Sequence, residues 1–319
     1  MNYGPSAVLL FERSELALFM VDGQLRRLHP GTNIIPLLGD IQNSLRVDEV
    51  LKTYAPQVVF HAAAYKHVPL VEQNPYEALA NNVGGSLVVA KACAEYGVEA
   101  FVLISTDKAV NPTSFMGATK RIAERVAQAV GGQSSNTRFT TVRFGNVIGS
   151  SGSVIPTFRE QIRRGGPITV THKDIERFFM TAPEAAQLVL QAGTLSEGDD
   201  TFILEMGEPV RIVHLARQLI RLSGFKEGED IDIVFSGLRP GEKLFEELII
   251  SGENQTRTAH QKILRVSRKD QDHEALLSAV AELLKAGRAR QASSMRDQAC
   301  ELVDNYQPTQ LPRIKPSPS

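Results

Sequence analysis

The chain has 319 residues and a formal net charge of -1, and 42% of its residues are hydrophobic and 22% charged. This composition is typical of a globular protein with one large α/β domain or two smaller ones. The balanced charge gives no electrostatic reason to expect nucleic acid or an anionic membrane as the main partner. Cys93 and Cys300 lie far apart without CxxC spacing, so neither a disulfide framework nor a zinc site is indicated.

No apolar run in the sequence approaches the length of about eighteen residues that is needed to span a bilayer. The start of the chain, "MNYGPSAVLLFERSE", also lacks the pattern of a secretory signal. We therefore expect a protein of the reducing cytoplasm without a membrane segment in this chain.

Short β-branched and apolar runs alternate with longer segments of helical period in the first half of the chain. This alternation predicts a doubly wound, Rossmann-type α/β fold, in which helices cover both faces of a parallel sheet. The predicted strands are Ala7–Phe11, Ile34–Leu38, Val58–Ala62, Phe101–Ser105 and Thr140–Phe144. The predicted helices are Ser14–Leu28, Ser44–Tyr54, Pro75–Tyr96 and Ser114–Val130.

The pattern becomes mixed after about Gly149. The segments "TFREQIRRG" and "VHLARQLIRLSG" have a helical period, whereas "DIDIVF" and "KILRV" are typical of strands. We expect residues 1–149 to form the Rossmann-type domain and residues 150–305 to form mainly a smaller, mixed α/β domain that is interleaved with it. A closing helix is predicted at Arg288–Asn305, and the Pro/Ser-rich residues 306–319 predict a disordered tail.

The first predicted strand lacks the Gly-rich turn that usually follows it in a dinucleotide-binding sheet and holds the pyrophosphate at a helix N-terminus. The strand ends in "VLLFERSE", with Glu12 where the second strand of such a sheet carries the carboxylate that binds a ribose diol. Only about five residues precede the strand, whereas a strand, a turn and a helix need roughly thirty. The sequence therefore indicates that the first βα unit is missing. The later "GNVIGSSG" is interpreted as a substrate-side loop.

Five segments in fixed order carry a family resemblance. They are "HAAAYKHVPLVEQNPYEALANNVGGSLVVAKA", "VLISTDKAVNPTSFMGATKRIAE", "VRFGNVIGSSGSVIPTF", "ERFFMTAPEAAQLVLQAG" and "RPGEKLFEEL". With them the chain resembles the UDP-N-acetylglucosamine 4,6-dehydratases, the polysaccharide-biosynthesis branch of the extended short-chain dehydrogenases, from Val8 to Leu248. The resemblance implies a cofactor-binding turn upstream of residue 1. It also implies that a longer parent protein could be anchored in the inner membrane.

The resemblance implies a reaction on UDP-N-acetylglucosamine or a related UDP-sugar for surface polysaccharide synthesis, with NADP or NAD as cofactor. A hydride leaves sugar C4 for the nicotinamide, and the resulting 4-keto group acidifies C5–H. A base then removes the C5 proton, an acid helps the C6 hydroxyl leave as water, and the hydride returns to C6. The family also implies a homo-oligomer that forms through the helices beside the active site. A nucleic-acid partner is not expected.

Asp107 and Lys108 directly follow a predicted strand, at the edge where open α/β sheets bind their ligands. An adjacent carboxyl and amine can act as acid and base if burial and mutual charge separate their pKa values. We assign Asp107 as the acid toward the C6 hydroxyl and Lys108 as the base at C5. An exposed Asp–Lys pair on a surface loop is the alternative.

Met116 stands where most short-chain dehydrogenases have Tyr, four residues before Lys120, so the two side chains share a helix face. In that superfamily the Lys lowers the pKa of the Tyr hydroxyl and fixes the nicotinamide ribose. Methionine cannot transfer a proton. The role of the Tyr would then pass to Lys108, Asp107 or Thr106, or to a water that they hold. Otherwise the chain is a catalytically inactive homologue.

The expected cofactor contacts follow from the resemblance. Asp40 suits a contact to the adenine amino group, or else caps a helix. Glu12 favours a free ribose diol and Arg13 a 2′-phosphate, so NAD and NADP remain alternatives. Asn82 is expected either to support the backbone of the active site or to pack within its helix. The full expected cofactor-binding set is Glu12, Arg13, Ser14, Asp40, Ile41, Ala62, Ala63, Ala64, Lys66, Asn82, Ser105, Lys120, Phe144 and Gly145.

Arginines are the expected ligands of a sugar-nucleotide diphosphate, because a planar guanidinium can hold two phosphate oxygens at once. Arg239 is the strongest candidate, since Pro240 and Gly241 fix the turn that presents it. Solvated surface arginines are the alternative reading. The full expected substrate-binding set is Lys66, His67, Asn146, Ser153, Val154, Arg177, Arg239 and Glu242, and no metal site is expected.

Two other functions remain open. A UDP-sugar 4-epimerase would return the hydride to C4 and would need no acid and base at C5 and C6, so the adjacent Asp107 and Lys108 favour the dehydratase. An inactive truncated homologue or a non-catalytic binding partner would retain only the fold. The loss of a central strand would leave the edge at Val8–Phe11 unpaired.

Overall fold

The computed structural model describes residues 3–150, 152–250, 252–266 and 271–308. From residue 309 onward, the predicted tail lies outside the described residues. The first half alternates strands and helices as the sequence predicts. It contains β1 (Val8–Glu12), α1 (Glu15–Leu28), β2 (Ile34–Leu38), α2 (Ser44–Tyr54), β3 (Val58–His61), α3 (Val68–Gln73), α4 (Pro75–Ala78), α5 (Ser86–Glu95), β4 (Ala100–Ile104), α6 (Phe115–Gln133) and β5 (Arg138–Arg143).

The second half mixes helices and short strands. It contains β6 (Asn146–Val147), α7 (Val154–Arg163), β7 (Ile168–Val170), β8 (Glu176–Arg177), β9 (Phe179–Met180), α8 (Ala182–Leu195), β10 (Asp200–Leu204), β11 (Val210–Arg211), α9 (Ile212–Leu222), β12 (Ile233–Phe235), β13 (Gln255–Arg257), β14 (Ile263–Val266), α10 (His273–Arg288) and α11 (Ala292–Leu302). The helical and strand-like periods noted in the sequence of this half are confirmed at α7, α9, β12 and β14.

Two predicted helices differ from the structure. The closing helix begins at Ala292 rather than Arg288, because Arg290 has a positive φ of 54° and separates it from α10. The predicted helix Pro75–Tyr96 is interrupted by a π-helical segment, Leu79–Gly85, between α4 and α5. A Cβ at Gly85 would lie 2.4 Å from the side chain of Ile41, so glycine allows this segment to pack tightly there.

Side-chain caps start the helices that lead to the site. Ser14 accepts a hydrogen bond from Ala17 N and caps α1. Asn43 caps α2 through Arg46 N, so the alternative role of Asp40 as a helix cap is wrong. The carboxylate of Asp40 accepts instead from Gln42 N within the preceding turn.

The central sheet has six strands in the order β13-β14-β10-β5-β4-β3. Strands β3, β4, β5 and β10 are parallel, whereas β14 and β13 join antiparallel at one edge. Strands β1 and β2 form a separate parallel pair. Among the described strands β1 pairs only with β2 and β3 only with β4, so each has one edge without a strand partner.

An apolar cluster connects the β1–β2 pair to the rest of the molecule. Val47 and Leu51 of α2 pack with Val89 and Cys93 of α5. Phe101 of β4 belongs to the same cluster, so this layer covers one face of both sheets. The helices on this face therefore position β1 and β2 beside the main sheet without hydrogen bonds between β1 and β3.

Most residues of helix α6 are buried. Its residues Ile122 and Val126 are fully buried and belong to a cluster with α10 and α11, to which Leu276, Val280 and Met295 contribute. The C-terminal helices thus pack on α6 itself. A separate cluster joins α7, β7 and α9, while β10 and β14 extend the main sheet. The second half is therefore interleaved with the first, and the boundary at residue 149 stays a prediction.

Candidate active site

A cavity of about 420 Å³ lies at the carboxyl ends of β3, β4 and β5. Parallel strands bring their carboxyl ends to the same edge of a sheet, which is where open α/β folds bind ligands. Loops from the second half of the chain close the other side, with Asn146, Arg177 and Arg239 in the wall. The cavity is therefore built from both halves of the sequence.

Asp107 and Lys108 begin a single 3-10 turn, Asp107–Ala109, that follows β4. The carboxylate of Asp107 is fully buried, and its Oδ1 accepts hydrogen bonds from Thr106 Oγ1 (2.8 Å) and Lys108 Nζ (3.0 Å). A Cβ at Gly145 would lie 3.1 Å from Asp107 Oδ2, so glycine leaves space for that oxygen. The alternative of an exposed surface pair is wrong, because Asp107 is enclosed and Lys108 lines the cavity.

The amine of Lys108 has three polar neighbours besides its own backbone turn. Its Nζ lies 3.0 Å from Asp107 Oδ1, 3.3 Å from Asn146 Oδ1 and 3.4 Å from Glu246 Oε1. Burial alone would lower the pKa of this amine, but the carboxylates of Asp107 and Glu246 outweigh burial and raise the pKa above its ordinary value. Lys108 is therefore held as an ammonium and must lose a proton before it can act as a base.

Met116 and Lys120 lie one turn apart on α6, and both line the cavity. Lys120 Nζ donates to the carbonyl oxygen of Ile104 at the end of β4 (2.7 Å). Burial lowers the pKa of Lys120 to about 8, and the negative charge of Glu124 only partly opposes this effect. The shared helix face predicted for Met116 and Lys120 is confirmed.

A buried ion network lies next to this edge of the sheet. Glu124 of α6 receives two hydrogen bonds from Arg143 of β5 and one from the hydroxyl of Ser105. Arg143 also donates to both carboxylate oxygens of Glu253, at 2.8 and 3.1 Å. This network connects α6, the ends of β4 and β5 and the segment around Glu253.

His61, the last residue of β3, is buried near the amine of Lys120. Its Nε2 shares a 2.8 Å hydrogen bond with Ser86 Oγ. Burial, with a smaller contribution from the nearby charge of Lys120, lowers the pKa of His61 to about 3. The imidazole is therefore neutral near pH 7 and acts as a hydrogen-bonding group of the core.

Every residue of the expected substrate-binding set lines the cavity. Arg177 is buried, and its guanidinium donates to the backbone carbonyls of Glu176, Leu244 and Lys243 and lies beside Glu242 and Glu246. Arg239 is 60% exposed, and its one carboxylate neighbour within the described part of the chain, Glu242 Oε2, lies 3.9 Å away. Of the two arginines, Arg239 therefore has the more accessible N–H donors.

The expected cofactor-binding residues divide into two groups. The first lines the same cavity and consists of Ala62, Ala64, Lys66, Ser105, Lys120, Phe144 and Gly145. The second lies outside the cavity lining and consists of Glu12, Arg13, Ser14, Asp40, Ile41, Ala63 and Asn82. The structure thus brings together half of the set around the catalytic residues, and the roles of both groups stay predictions.

Four residues of the second group lie at the carboxyl ends of β1 and β2. Arg13 Nη1 lies 3.6 Å from Asp40 Oδ2, and its guanidinium carbon lies 4.8 Å from the ring centre of Tyr65. Glu12 Oε1 accepts a hydrogen bond from Ser14 N (2.8 Å). The side chain of Arg13 therefore connects the carboxyl end of β1 to the loop after β3 through a cation–π contact with Tyr65.

Asn82 lies in the π-helical segment and holds the loop that follows β3. Its Oδ1 accepts from Tyr65 N (2.7 Å), and its Nδ2 donates to Tyr65 O (3.0 Å) and Thr119 Oγ1 (3.0 Å). This loop carries Lys66 and His67 into the cavity wall. The side chain thus connects that loop to α6.

The sequence interpretation missed several residues of the wall. Glu246 is the most important, because it contacts Lys108 and is almost completely buried. The signal available was the acidic segment "EKLFEEL" directly after "RPG". Further missed lining residues are Val68, Pro69, Thr113, Ser114, Gly152 and Phe179.

The described residues contain neither a cluster of metal ligands nor a helix suited to span a membrane. No group of three or more His, Cys, Asp or Glu side chains there could hold a metal ion. In the same part of the chain, no helix combines the length and the apolar character needed to cross a membrane.

Comparison with known families matches the profile described as "Polysaccharide biosynthesis protein" to residues 1–268, which is most of the chain. This chain belongs to the polysaccharide biosynthesis protein family. Its similarity to the capsular polysaccharide biosynthesis protein CapD of Staphylococcus aureus is 52% identity over 266 residues, which cover 83% of this chain and 44% of that protein. The chain thus spans less than half the length of this family relative.

Two other curated relatives carry enzyme names. A UDP-N-acetylglucosamine 4,6-dehydratase (inverting) of Campylobacter jejuni is 32% identical over 256 residues, covering 79% of this chain and 72% of that protein. A UDP-glucose 4-epimerase of Rickettsia canadensis is 38% identical over 216 residues, covering 67% and 61%. The family resemblance found in the sequence is therefore confirmed, and both reaction classes occur among the relatives.

A solved structure is also similar to the chain described here. The X-ray structure of Pen from Bacillus thuringiensis has a TM-score of 0.76 and 36% sequence identity, covering 85% of this chain and 82% of that chain. Together with the mainly parallel central sheet, structural similarity confirms the Rossmann-type α/β fold class.

Proposed function

We propose that this chain is the catalytic part of a nucleotide-sugar 4,6-dehydratase. The reaction converts UDP-N-acetylglucosamine to a UDP-4-keto-6-deoxy-N-acetylhexosamine for surface polysaccharide synthesis. The observation that carries the proposal is the pair of Asp107 and Lys108, an acid and a base on one turn: Lys108 lines the cavity, and the buried carboxylate of Asp107 lies directly behind it, 3.0 Å from Nζ. The family membership and the named dehydratase relative support it.

The cavity has features that fit a nicotinamide dinucleotide, NAD or NADP. Ala62, Ala64 and Gly145 place no bulky side chain at their three positions in the wall. An ammonium has three N–H donors, and Lys120 uses one of them for Ile104 O, so two remain for ribose hydroxyls. When bound, this cofactor supplies the group that accepts a hydride from the sugar and later returns it.

Thr106 is the residue that we assign to receive the proton of the sugar O4 hydroxyl in place of the missing Tyr. Its Oγ1 lines the cavity and already donates to Asp107 Oδ1. As the O4 proton moves to Thr106 Oγ1, the hydroxyl proton of Thr106 moves to the carboxylate of Asp107. Asp107 then holds one proton and Thr106 is again a neutral hydroxyl.

The same proton can leave with the departing water. Asp107 delivers it to the C6 hydroxyl, while Lys108 in its amine form removes the proton from C5. When the product forms, Lys108 returns a proton to C5 and regains its amine form. The proton taken from O4 thus ends in water, and Met116 takes part in no proton transfer.

A product analysis tests the proposal. The protein is incubated with UDP-N-acetylglucosamine and NAD or NADP, and the molecular mass of the product is measured by mass spectrometry. A product lighter than the substrate by one water supports the dehydratase, whereas an isomer of unchanged mass supports the 4-epimerase.

A cofactor titration separates both enzymes from an inactive homologue. The chain has no tryptophan, so the fluorescence of NADH and NADPH can be followed without interference from that residue. Saturable binding to a folded sample is expected. The absence of both binding and turnover would favour a non-catalytic protein that retains the fold.

A further inference from the structure

Glu246 is a buried carboxylate of the cavity wall that the proton transfers described above do not use. Its side chain is 3% exposed, although Glu246 lies in a loop rather than in a strand or helix. Its Oε1 lies 3.4 Å from Lys108 Nζ and 3.6 Å from Arg177 Nε. Within the described part of the chain its Oε2 has no hydrogen-bond partner. A buried carboxylate with a free oxygen is costly to retain unless its charge is used.

Three charged side chains of the described residues act on the Lys108 amine. Asp107 and Glu246 lie on different chain segments and both contact the amine, while the positive charge of Arg177 lies beside the same Glu246 oxygen that faces Lys108. Glu242 in turn lies 3.5 Å from Arg177. The neutral amide of Asn146 is the remaining polar neighbour of Lys108.

This arrangement fixes the position of Lys108 Nζ within the site. Asp107 precedes Lys108 in the same turn and can hold the amine only at the β4 side of the cavity. Glu246 belongs to the segment after "RPG", which also carries Glu242 into the substrate side. Two carboxylates from different segments therefore place Nζ between the strand edge and the substrate loops.

We propose that Glu246 is the positioning residue that orients the Lys108 amine and shares its proton. The transfer breaks one N–H bond of the Lys108 ammonium and forms an O–H bond on Glu246 Oε1. An ammonium and a carboxylate become a neutral amine and a carboxylic acid, so the net charge of the pair is unchanged. The role of that amine as the C5 base rests on the proposed function, whereas the coupling between the two side chains does not.

Amine labelling tests the coupling without turnover, cofactor or substrate. The folded protein is treated with an acylating reagent over a range of pH, and modification of Lys108 is measured by peptide mass spectrometry. Glu246→Gln removes the negative charge and preserves the shape of the side chain. Glu247→Gln is the matched control, because Glu247 is the next residue, is 53% exposed and pairs with Lys243 rather than with Lys108.

The Glu246→Gln variant is expected to label at lower pH than the wild type. Below the wild-type midpoint its labelling rate should rise about tenfold if the pKa of Lys108 falls by one unit. The Glu247→Gln curve should coincide with that of the wild type. A Glu246→Gln curve that also coincides with the wild type would overturn the proposal, even if the dehydratase reaction is established.

A second variant decides the question if Glu246→Gln does not fold. Glu246→Asp keeps the charge but shortens the side chain, so the carboxylate moves away from Lys108. A labelling midpoint below that of the wild type supports the proposal, because the attraction between opposite charges weakens with distance. An unchanged midpoint contradicts it. Because none of these measurements requires catalysis, they can fail or succeed independently of the product analysis.

Discussion

The guanidinium of Arg143 holds the carboxylate of Glu124 in a two-pronged ion pair, with Nε to Oε1 at 2.9 Å and Nη2 to Oε2 at 2.8 Å. Neither side chain is exposed. The same carboxylate accepts the hydroxyl of Ser105, directly before Thr106 and Asp107. The pair therefore fixes α6, which carries Met116 and Lys120, against the strands that end at the site.

Removal of one partner of this pair should destabilise the protein strongly. Glu124→Gln leaves the guanidinium of Arg143 buried with less negative charge, which typically costs about 3–5 kcal/mol. Urea unfolding measures the loss. The control is Glu49→Gln, which removes an ion pair to Arg46 from a side chain that is 62% exposed, and it should cost at most about 1 kcal/mol. Equal losses for both variants would contradict the structural role of the buried pair.

Glu124 should also make the stability depend on pH in the acid range. Burial alone would raise its pKa, but the charges of Arg143 and Arg121 outweigh burial and lower the pKa from 4.5 to about 2. A carboxyl with a lower pKa in the folded state stabilises fully above its unfolded pKa, and this contribution disappears as the pH falls toward the folded value. Thermal unfolding at successive pH values between 4.5 and 2 should therefore show a smaller decline for Glu124→Gln than for the wild type.

The proton-transfer assignments predict different effects of substitutions at Met116 and Asp107. Met116→Leu preserves an apolar side chain of similar volume and should retain turnover within a few-fold, because Met116 transfers no proton. Asp107→Asn cannot accept the proton from Thr106 and should lower kcat by roughly 100-fold or more. Steady-state kinetics with the UDP-sugar compares the two. A loss at Met116→Leu as large as that at Asp107→Asn would contradict the assignments.

Asn82 should be important for the order of the loop that carries Lys66 and His67. Asn82→Ala removes four side-chain hydrogen bonds and leaves the backbone of Tyr65 without two of its partners, at a cost of at least about 2 kcal/mol. Amide hydrogen exchange should then become faster at Tyr65. The comparison is Asn74→Ala, which loses one exposed bond to Leu70 O and should change neither quantity much. Unchanged exchange at Tyr65 in Asn82→Ala would show that other contacts order the loop.

The sequence predicted the elements that have a clear period and missed contacts that depend on tertiary structure. The strands and helices as far as β5 could be predicted because parallel strands read as short apolar runs between helical periods. Asp107, Lys108 and the Met116–Lys120 face followed from a motif within one segment. Glu246 could not be found in this way, because it lies 138 positions after Lys108 in the sequence and contacts it from a loop without regular structure.

Local signals also gave wrong boundaries where packing decided the outcome. Both Asp40 and Asn43 are suitable helix caps by type, and only the turn between them selects Asn43. The π-helical segment arises inside a sequence with an ordinary helical period, where Gly85 allows close approach of Ile41. Such choices depend on neighbours that a single segment does not contain.

The position of α10 and α11 has a consequence for how copies of this chain could associate. Their side chains Leu276, Val280 and Met295 pack in one apolar cluster with Ile122 and Val126 of α6, so the chain itself covers this face of α6. A partner could pair with this face only by displacing both helices or by exchanging them with its own. The chain thus supplies the packing behind Met116 and Lys120 by itself, which makes the shape of this part of the cavity independent of protein concentration.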